Sequence, residues 1–286
     1  MKYSLILCTL NRENLLKNCL ESLFKQTYQN FEIIIVDQGD NVQQIYLNVP
    51  KIKYIHMKQK GLSNARNAAI EITDGDYCCL IDDDAVYPPD WLENIEKCIS
   101  NLKVDVISGR IKDPETGCYA LKGEKNTSID DLGYYGVLKY CLSACCTIKT
   151  SELRKIKFDN CFGVGRHWGA GEETDAIWSI KENGGKVSYN PSIEVYHPVI
   201  KDKSLMKLNK IESYNLGFGA MYAKHILKKN IKVFFLYHYA LIRNIGGFLL
   251  YSIKNDKKNA EIQKVSYFSK KQGYKEYINQ HKRNLS

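Results

Sequence analysis

The stretch Tyr77-Cys78-Cys79-Leu80-Ile81-Asp82-Asp83-Asp84 decides the fold, because a short apolar run ends in three consecutive acids. An apolar run of about five residues predicts a buried strand, and the acids predict that its carboxyl end enters a polar site. In an extended chain, Asp82 and Asp84 lie on the same side. Two carboxylates there suit Mg²⁺ or Mn²⁺, which commonly bridge to phosphate oxygens. The alternative interpretation is a solvated acidic turn before Pro88-Pro89.

Alternating strand and helix patterns surround this stretch and predict an α/β fold with a mostly parallel, helix-covered sheet. The predicted strands are residues 3–9, 31–36, 53–56, 77–81 and 104–108, and the predicted helices are residues 15–24, 62–72 and 90–102. Ser63 is the predicted N-cap of the second helix. In such a sheet, ligands bind at the carboxyl ends of the strands, where Asp37 and the three acids lie.

The residues after the first strand exclude two common phosphate-binding motifs. Thr9-Leu10-Asn11-Arg12-Glu13 contains no G-x-G-x-x-G, and the chain has no G-x-x-x-x-G-K-[ST]. A metal and basic side chains would therefore have to meet the phosphate charge. Arg12 and Arg66 are candidates, and Arg66 lies near a predicted helix N-terminus. For Arg66 the alternative is a surface arginine paired with Glu71 or Asp74.

A second acidic segment, Trp168-Gly169-Ala170-Gly171-Glu172-Glu173-Thr174-Asp175, predicts a glycine-rich loop that opens a helix. Its acids either stabilise the helix N-terminus or supply a general base for an acceptor hydroxyl. Trp168 beside two glycines either offers a flat apolar face to a sugar or is an ordinary core tryptophan. His197 follows a predicted strand over 192–196, and it either completes a metal site with Asp84 or is a structural histidine.

These segments, in this order, resemble the family-2 glycosyltransferases of the GT-A fold over about residues 4–198. The resemblance rests on the following motifs: Leu10-Asn11-Arg12, Ile35-Val36-Asp37, Gly61-Leu62-Ser63-Asn64-Ala65-Arg66-Asn67, Asp82-Asp83-Asp84 as the D-x-D motif, and Gly171-Glu172-Glu173. It implies transfer, with inversion, of a sugar from a nucleotide-diphosphate sugar, expected to be a UDP-sugar. The implied acceptor is a hydroxyl of a glycan or a lipid-linked molecule in bacterial surface polysaccharide synthesis, such as capsule or lipopolysaccharide.

The resemblance also implies a role for each matching residue. Around the nucleotide sugar it places Thr9, Asn11, Arg12, Asp37, Arg66, Asp82 and Asp83. It places Asp84 and His197 on a divalent cation, Mn²⁺ or Mg²⁺, and Trp168, Gly171 and Glu172 on the acceptor side. Glu173 matches the catalytic base, where the family usually has aspartate, and Glu172 and Asp175 are the alternatives.

Two other functions compete with this interpretation. A nucleotide-sugar pyrophosphorylase has a related sheet, but it would require a G-x-G-T-R-L type loop where this chain has Leu10-Asn11-Arg12. A non-catalytic nucleotide-sugar-binding protein would keep the fold without turnover, and the intact acids at both acidic segments argue against it.

Composition bounds the location and the domain organisation. Ten cysteines without a secretory signal indicate a reducing compartment and mostly buried free thiols. We expect a catalytic domain over residues 1–200 and a basic, helical region over residues 201–286. Residues 231–253 are apolar, but Lys232, His238 and Arg243 leave uninterrupted stretches shorter than the roughly 20 residues of a membrane span. An amphipathic helix on an anionic membrane surface fits this pattern, as does a helix packed on the catalytic domain. We therefore expect a cytoplasmic protein that binds no nucleic acid. In the first of these two alternatives it is also peripheral on the inner face of the cell membrane.

Overall fold

The computed structural model describes residues 1–41, 46, 49–121, 126–199, 204 and 206–283. The chain divides into two compact units. The first unit is Met1–Asp159 with Glu173–Val199, and the second unit is Asn160–Glu172 with Ile200–Ser286. The segment Asn160–Glu172, which the sequence places within residues 1–200, therefore groups with the C-terminal helices.

The first unit alternates strands and helices over most of its length. Its strands are β1 (Tyr3–Thr9), β2 (Phe31–Asp37), β3 (Ile52–His56), β4 (Tyr77–Asp82), β5 (Val106–Lys112), β6 (Cys146–Lys149) and β7 (Val187–Tyr196). Its helices are α1 (Glu13–Leu23), α2 (Leu62–Glu71), α3 (Trp91–Leu102), α4 (Tyr134–Tyr140), α5 (Thr150–Ile156) and α6 (Glu172–Glu182). Glu172, the first residue of α6, ends the segment Asn160–Glu172 of the second unit, and the rest of α6 belongs to the first unit.

The seven strands form one sheet in the order β3-β2-β1-β4-β6-β5-β7. Strand β6 is antiparallel to both of its neighbours, and the other pairings of the sheet are parallel. The predicted mostly parallel α/β sheet is thus confirmed. Strand β6 was not predicted, because its four residues lie among short helical segments and show too short an apolar pattern. It separates β4 from β5, which extends to Lys112 rather than ending at Ser108.

The central strands are buried because helices cover the sheet, which explains their continuous apolar sequences. All seven residues of β2 are buried, and so are the first five residues of β4. Helix α1 buries its periodic face, which carries Leu16, Cys19, Leu20 and Leu23. All ten cysteines are free thiols; seven are buried, while Cys161 is exposed.

Helix α2 begins differently from the prediction. Its N-cap is Gly61, whose φ of +123° favours glycine, and Ser63 lies inside the helix as a buried residue. The predicted Ser63 cap is therefore wrong. Ser63 is the second residue of the helix and is fully buried.

Three helices form most of the second unit: α7 (Leu208–Leu227), α8 (Ile231–Ile253) and α9 (Lys257–Arg283). Glycines allow α7 and α9 to approach closely. A Cβ atom at Gly219 would lie 2.1 Å from the carbonyl oxygen of Lys270, and one at Gly273 would lie 2.0 Å from that of Leu216. The helical C-terminal region predicted from the sequence is confirmed.

Candidate functional site

Strand register brings the predicted donor residues together at one edge of the sheet. Thr9 lies opposite Asp37, Asp37 lies opposite His56, and Cys8 lies opposite Asp82. The carboxyl ends of β1, β2 and β4 therefore meet at this edge. A pocket opens there and is lined by Thr9, Asn11, Arg12, Glu13, Leu16, Asp37 and Gly39.

The turns after β1 and β2 interlock and form part of this pocket. Asn11 adopts a φ of +54°, which asparagine tolerates better than most residues. Its side-chain amide donates to Asp40 Oδ2 at 3.0 Å, and its Oδ1 accepts from the Asp40 backbone N–H at 3.0 Å. A Cβ atom at Gly39 would lie 2.8 Å from both Asn11 Oδ1 and Asp37 Oδ1. Asn11 thus shapes the pocket by holding the two turns together.

Asp37 has both carboxylate oxygens in hydrogen bonds. The Gly39 backbone N–H donates to Oδ1 at 2.7 Å, and the Tyr54 hydroxyl donates to Oδ2 at 2.7 Å. These bonds fix the orientation of a carboxylate that the surrounding chain buries almost completely. A rigid acceptor at this position is suited to a directional hydrogen bond with a ligand that enters the pocket.

Asp83 faces the turn after β1. Its Oδ2 accepts from the Thr9 hydroxyl at 2.7 Å, and its Oδ1 accepts from Arg12 NH1 at 2.9 Å. The hydrogen bond to Asp83 raises the pKa of Arg12, which also lies 3.4 Å from Asp84 Oδ2. Asp83 was predicted to contact the nucleotide sugar. Its two oxygens instead position Thr9 and Arg12 at the pocket.

His197 reaches the acidic triplet although it lies far along the chain. Backbone hydrogen bonds join Val86 and Tyr196 in both directions, at 2.8 and 3.0 Å, and this pairing places the residue after β7 beside Asp84. Nδ1 of His197 is 2.7 Å from the carbonyl oxygen of Pro198. Because a carbonyl only accepts, Nδ1 carries a proton and Nε2 faces the carboxylates.

Asp82, Asp84 and His197 form a group that could hold a metal ion. One ligand atom from each lies within 4.8 Å of the others, and His197 Nε2 is 3.0 Å from Asp84 Oδ1 and 4.0 Å from Asp82 Oδ2. Two carboxylates and an imidazole fit Mn²⁺ well, since this ion accepts oxygen and nitrogen ligands. The three side chains therefore satisfy the donor chemistry of the predicted site.

The pKa values within this group reflect the strong field among its members. The hydrogen bond from His197 lowers the pKa of Asp84. Burial lowers the pKa of His197, but the hydrogen bond and charge of Asp84 outweigh this effect and raise it overall. Burial raises the pKa of Asp82, opposed by the charges of Arg66 and His197. A divalent cation would relieve both the burial of Asp82 and its repulsion from Asp84.

Ser143 belongs to the site and was missed from the sequence. It opens a single 3-10 turn, Ser143–Cys145, just before β6. Its hydroxyl donates to Asp82 Oδ1 at 2.9 Å and accepts from Arg66 NH2. No local pattern marks this serine, because its partners lie 61 and 77 residues away in the chain.

Arg66 is buried behind the acids rather than lying on the surface. Only 2% of it is exposed, and its guanidinium lies 5.3 Å from the centre of the Phe158 ring. The alternative of a surface ion pair is wrong, since Glu71 pairs with Lys157, and Asp74 pairs with Lys2 and Lys53. The positive charge of Arg66 stabilises the carboxylate of Asp82.

Among the three acids at the start of α6, Glu173 is the accessible one. Glu172 is 4% exposed and Asp175 is 1% exposed, whereas Glu173 is partly exposed. A general base must reach a hydroxyl of a bound acceptor. Accessibility therefore favours Glu173 over both alternatives.

Trp168 lies in the second unit as a core residue. It is 4% exposed, and its ring lies 5.1 Å from the Phe162 ring and 5.0 Å from the Tyr277 ring, measured between centres. The expectation of an open apolar face for a sugar is wrong. Burial against two aromatic rings explains this tryptophan, as the core alternative proposed.

The glycines after Trp168 allow the loop to pack closely on α7. A Cβ atom at Gly169 would lie 2.0 Å from Ser213 Oγ, and one at Gly217 would lie 2.4 Å from the carbonyl oxygen of Ala170. Gly171 has a φ of +99°, which favours glycine. The loop that leads into Glu172 is thus fixed by backbone packing against α7.

Known proteins resemble this chain in sequence and in fold. A family model described as "Glycosyl transferase family 2" matches residues 4–156, more than half of the chain. The chain belongs to glycosyl transferase family 2. "Glycosyltransferase GlyA" of Streptococcus pneumoniae serotype 4 is 32% identical to it over 114 residues, which cover 38% of this chain and 16% of the relative. The chain thus spans only a small part of that curated relative.

Two solved structures share the fold over most of the chain. S. aureus TarS in complex with UDP-GlcNAc superposes with a TM-score of 0.59 at 16% identity, over 96% of this chain and 92% of that one. A mannosyltransferase of Pyrobaculum calidifontis in complex with GDP-Man and Mn²⁺ gives a TM-score of 0.66 at 16% identity, over 96% and 86%. The predicted GT-A fold is confirmed by these likenesses.

Proposed function

We propose that this chain transfers a sugar, with inversion, from a nucleotide-diphosphate sugar to a hydroxyl of a glycan or lipid-linked acceptor in bacterial surface polysaccharide synthesis. One observation carries the proposal. A group of metal-ligand type, formed by Asp82, Asp84 and His197, lies at the same sheet edge as the pocket lined by Thr9, Arg12 and Asp37. Membership in family 2 supports the same reaction class.

In this proposal the pocket receives the nucleoside of the donor, a UDP-sugar. Asp37, held by Tyr54 and Gly39, offers a fixed acceptor to the base. Arg12 is half-exposed at the mouth of the acidic triplet, and its guanidinium would face the diphosphate. Thr9 and Asn11 keep the turn in place. Arg66, behind Asp82, contributes positive charge to the same region.

Asp84, Asp82 and His197 would hold a divalent cation, Mn²⁺ or Mg²⁺. When bound, such an ion supplies positive charge that stabilises the departing nucleoside diphosphate. Ser143 keeps Asp82 oriented through its hydrogen bond at 2.9 Å, and Asp83 keeps Arg12 oriented at 2.9 Å. The chain thus arranges charges for the leaving group before any reaction occurs, which is the usual source of electrostatic catalysis.

Glu173 would act as the general base. Its carboxylate takes the proton of the acceptor hydroxyl while that oxygen attacks the anomeric carbon. The new C–O bond forms as the bond from the anomeric carbon to the diphosphate oxygen breaks, so the nucleoside diphosphate leaves with the bonding electron pair. Attack opposite the leaving group inverts the configuration at the anomeric carbon.

Thermal unfolding tests the proposal with a panel of nucleoside diphosphates and nucleotide sugars, each with and without Mn²⁺. A ligand that binds only the folded chain raises its stability by mass action. We expect a shift for one nucleotide that requires metal, disappears in Asp84→Ala and persists in Asp130→Ala, an exposed acid of the same unit. A folded chain that responds to no nucleotide would refute the transferase and the nucleotide-binding alternative together. Binding without release of nucleoside diphosphate in the presence of acceptors would favour the non-catalytic alternative.

A further inference from the structure

Helix α8 carries an exposed apolar stripe along its entire length. Ten large apolar side chains are exposed on it: Ile231, Phe234, Phe235, Tyr239, Ile242, Ile245, Phe248, Leu249, Leu250 and Ile253. At about 1.5 Å of rise per residue, a 23-residue helix extends for roughly 34 Å. Soluble monomers rarely expose so long a continuous apolar surface, so the stripe marks a site of interaction.

The opposite face of α8 packs within the second unit. Its buried residues Val233, Tyr237, Ala240 and Asn244 follow helical spacing. The side-chain amide of Asn244 donates to Gln263 at 2.8 Å, and its Oδ1 accepts from the buried Lys270 ammonium at 2.9 Å. One face of α8 therefore packs against the lysine-rich helix α9, while the opposite face is exposed.

This packing decides between crossing a membrane and lying on one. By length and composition α8 is apolar enough to cross a bilayer, although charged residues interrupt its apolar stretches. Only 22% of its most apolar 18-residue window is buried. A crossing helix would draw α9 with it, including Lys264, Lys270 and Lys271, into the hydrocarbon. Lysine side chains at that depth are costly. Only the exposed stripe is suited to lipid, and it is suited in an in-plane orientation.

Charge indicates which kind of surface the stripe meets. Residues 201–286 hold 18 of the 41 lysines and arginines and 5 of the 32 acids, a net charge of +13 against −4 for residues 1–200. Helix α8 itself contains Lys232 and Arg243 and no acid. These two lie 11 residues apart, which is close to three turns, so they share one flank of the stripe. Apolar side chains beside a basic flank are typical of helices that bind anionic lipid.

We propose that α8 lies in the plane of an anionic phospholipid surface, with the stripe at the boundary between headgroups and acyl chains. Lys232 and Arg243 meet the lipid phosphates along one flank. The inference deepens the proposed function and rests on it in one respect. A transferase bound to the membrane surface would meet lipid-linked acceptors within the plane of that surface. The binding itself does not require the proposed transfer reaction.

Co-sedimentation of the 286-residue chain with phospholipid vesicles tests the inference. We expect stronger binding to vesicles that contain phosphatidylglycerol than to phosphatidylcholine alone, and weaker binding as salt screens the charges. The double variant Phe235→Glu/Ile242→Glu should lower the partition coefficient for vesicles at least roughly tenfold, because two anions replace apolar side chains that would contact the acyl chains. The control Phe24→Glu/Ile72→Glu changes exposed residues of the first unit and should bind as the unsubstituted chain does. The variant Lys232→Gln/Arg243→Gln should show a weaker preference for phosphatidylglycerol than the unsubstituted chain, because two of the basic side chains beside the stripe are lost.

The following results would overturn the inference. Absence of vesicle binding, or equal binding by the stripe variant and the control, removes the stripe as the lipid contact. Resistance to alkaline carbonate extraction shows a spanning helix instead. A dimer that the stripe variant disrupts, without vesicle binding, shows that a second copy covers the stripe. A cooperative thermal unfolding transition, measured by circular dichroism on the same preparations, shows that the variants are folded. Vesicle binding without any nucleotide response would refute the proposed function and leave this inference standing.

Discussion

Replacement of Gly217 by alanine tests whether the loop before Glu172 is held by close packing on α7. The added Cβ would lie 2.4 Å from the Ala170 carbonyl oxygen, whereas ordinary contacts begin near 3.4 Å, so the loop or the helix must move by about 1 Å. Overpacking of this kind costs about 1–3 kcal/mol. Alanine in a helix recovers about 0.5–1 kcal/mol relative to glycine. The net expectation is a loss of stability of about 0–2.5 kcal/mol, whereas the loss relative to a glycine replaced without a clash is about 1–3 kcal/mol.

Gly246 in α8 supplies the matched control, because a Cβ atom there meets nothing within 4 Å. Gly246→Ala should gain the same helix-propensity term, about 0.5–1 kcal/mol, without a clash. The difference between the two variants therefore isolates the contact with Ala170. Thermal unfolding followed by circular dichroism measures it, at about 2–4 °C per kcal/mol for a chain of this size.

The same variant separates donor binding from transfer. The pocket proposed for the nucleotide lies within the first unit, so Gly217→Ala should keep its nucleotide-induced thermal shift. Transfer should fall, since a displacement of about 1 Å in positioning groups can cost up to roughly 100-fold in rate. Gly217→Ala that is as stable as Gly246→Ala, with unchanged transfer, would show that the loop is not held by this contact.

Three further predictions concern the acids and their partners. In metal-free protein, the raised pKa of His197 contributes to the free energy of unfolding. This contribution is complete below the unfolded pKa of about 6.5 and is lost as pH rises through the folded pKa. A plot of melting temperature against pH should therefore fall over this range, and the fall should be absent in His197→Gln. Glu173→Gln should lower kcat by about 10²–10⁴-fold while nucleotide binding persists, and a smaller loss than Glu172→Gln would assign the base to Glu172. Ser143→Ala should weaken Mn²⁺ binding about tenfold, within the range for partners that orient metal ligands, because Asp82 loses its donor; unchanged affinity by titration calorimetry would contradict this role.

Most of the fold could be predicted because its main signals are local. Strand β1 has the predicted bounds, since a continuous apolar run is bounded by polar residues on both sides. The ends of β2 and β4 were recognisable for the same reason, as each apolar run stops at an aspartate. Strand β6 escaped prediction because four residues carry no periodicity, and because strand order depends on pairing between distant segments.

The site was predictable where chemistry follows a strand end, and it was not where a contact is made across the fold. Asp82 and Asp84 stand out as adjacent acids after an apolar run, but nothing near Ser143 marks it as a partner of Asp82. Trp168 shows the opposite error. A tryptophan beside glycines has the same sequence whether its face is open or packed, and only the positions of Phe162 and Tyr277 decide.

The row formed by Thr9, Asp37 and His56 across β1, β2 and β3 constrains where this chain tolerates length changes. Side chains alternate between the two faces of a strand, so one residue inserted within β1 or β2 would turn every later side chain of that strand to the opposite face. The pocket would then lose Thr9 or Asp37 without any change of residue identity. Insertions should therefore preserve the pocket only where they fall in the connections between strands, while the number of residues within each strand stays fixed.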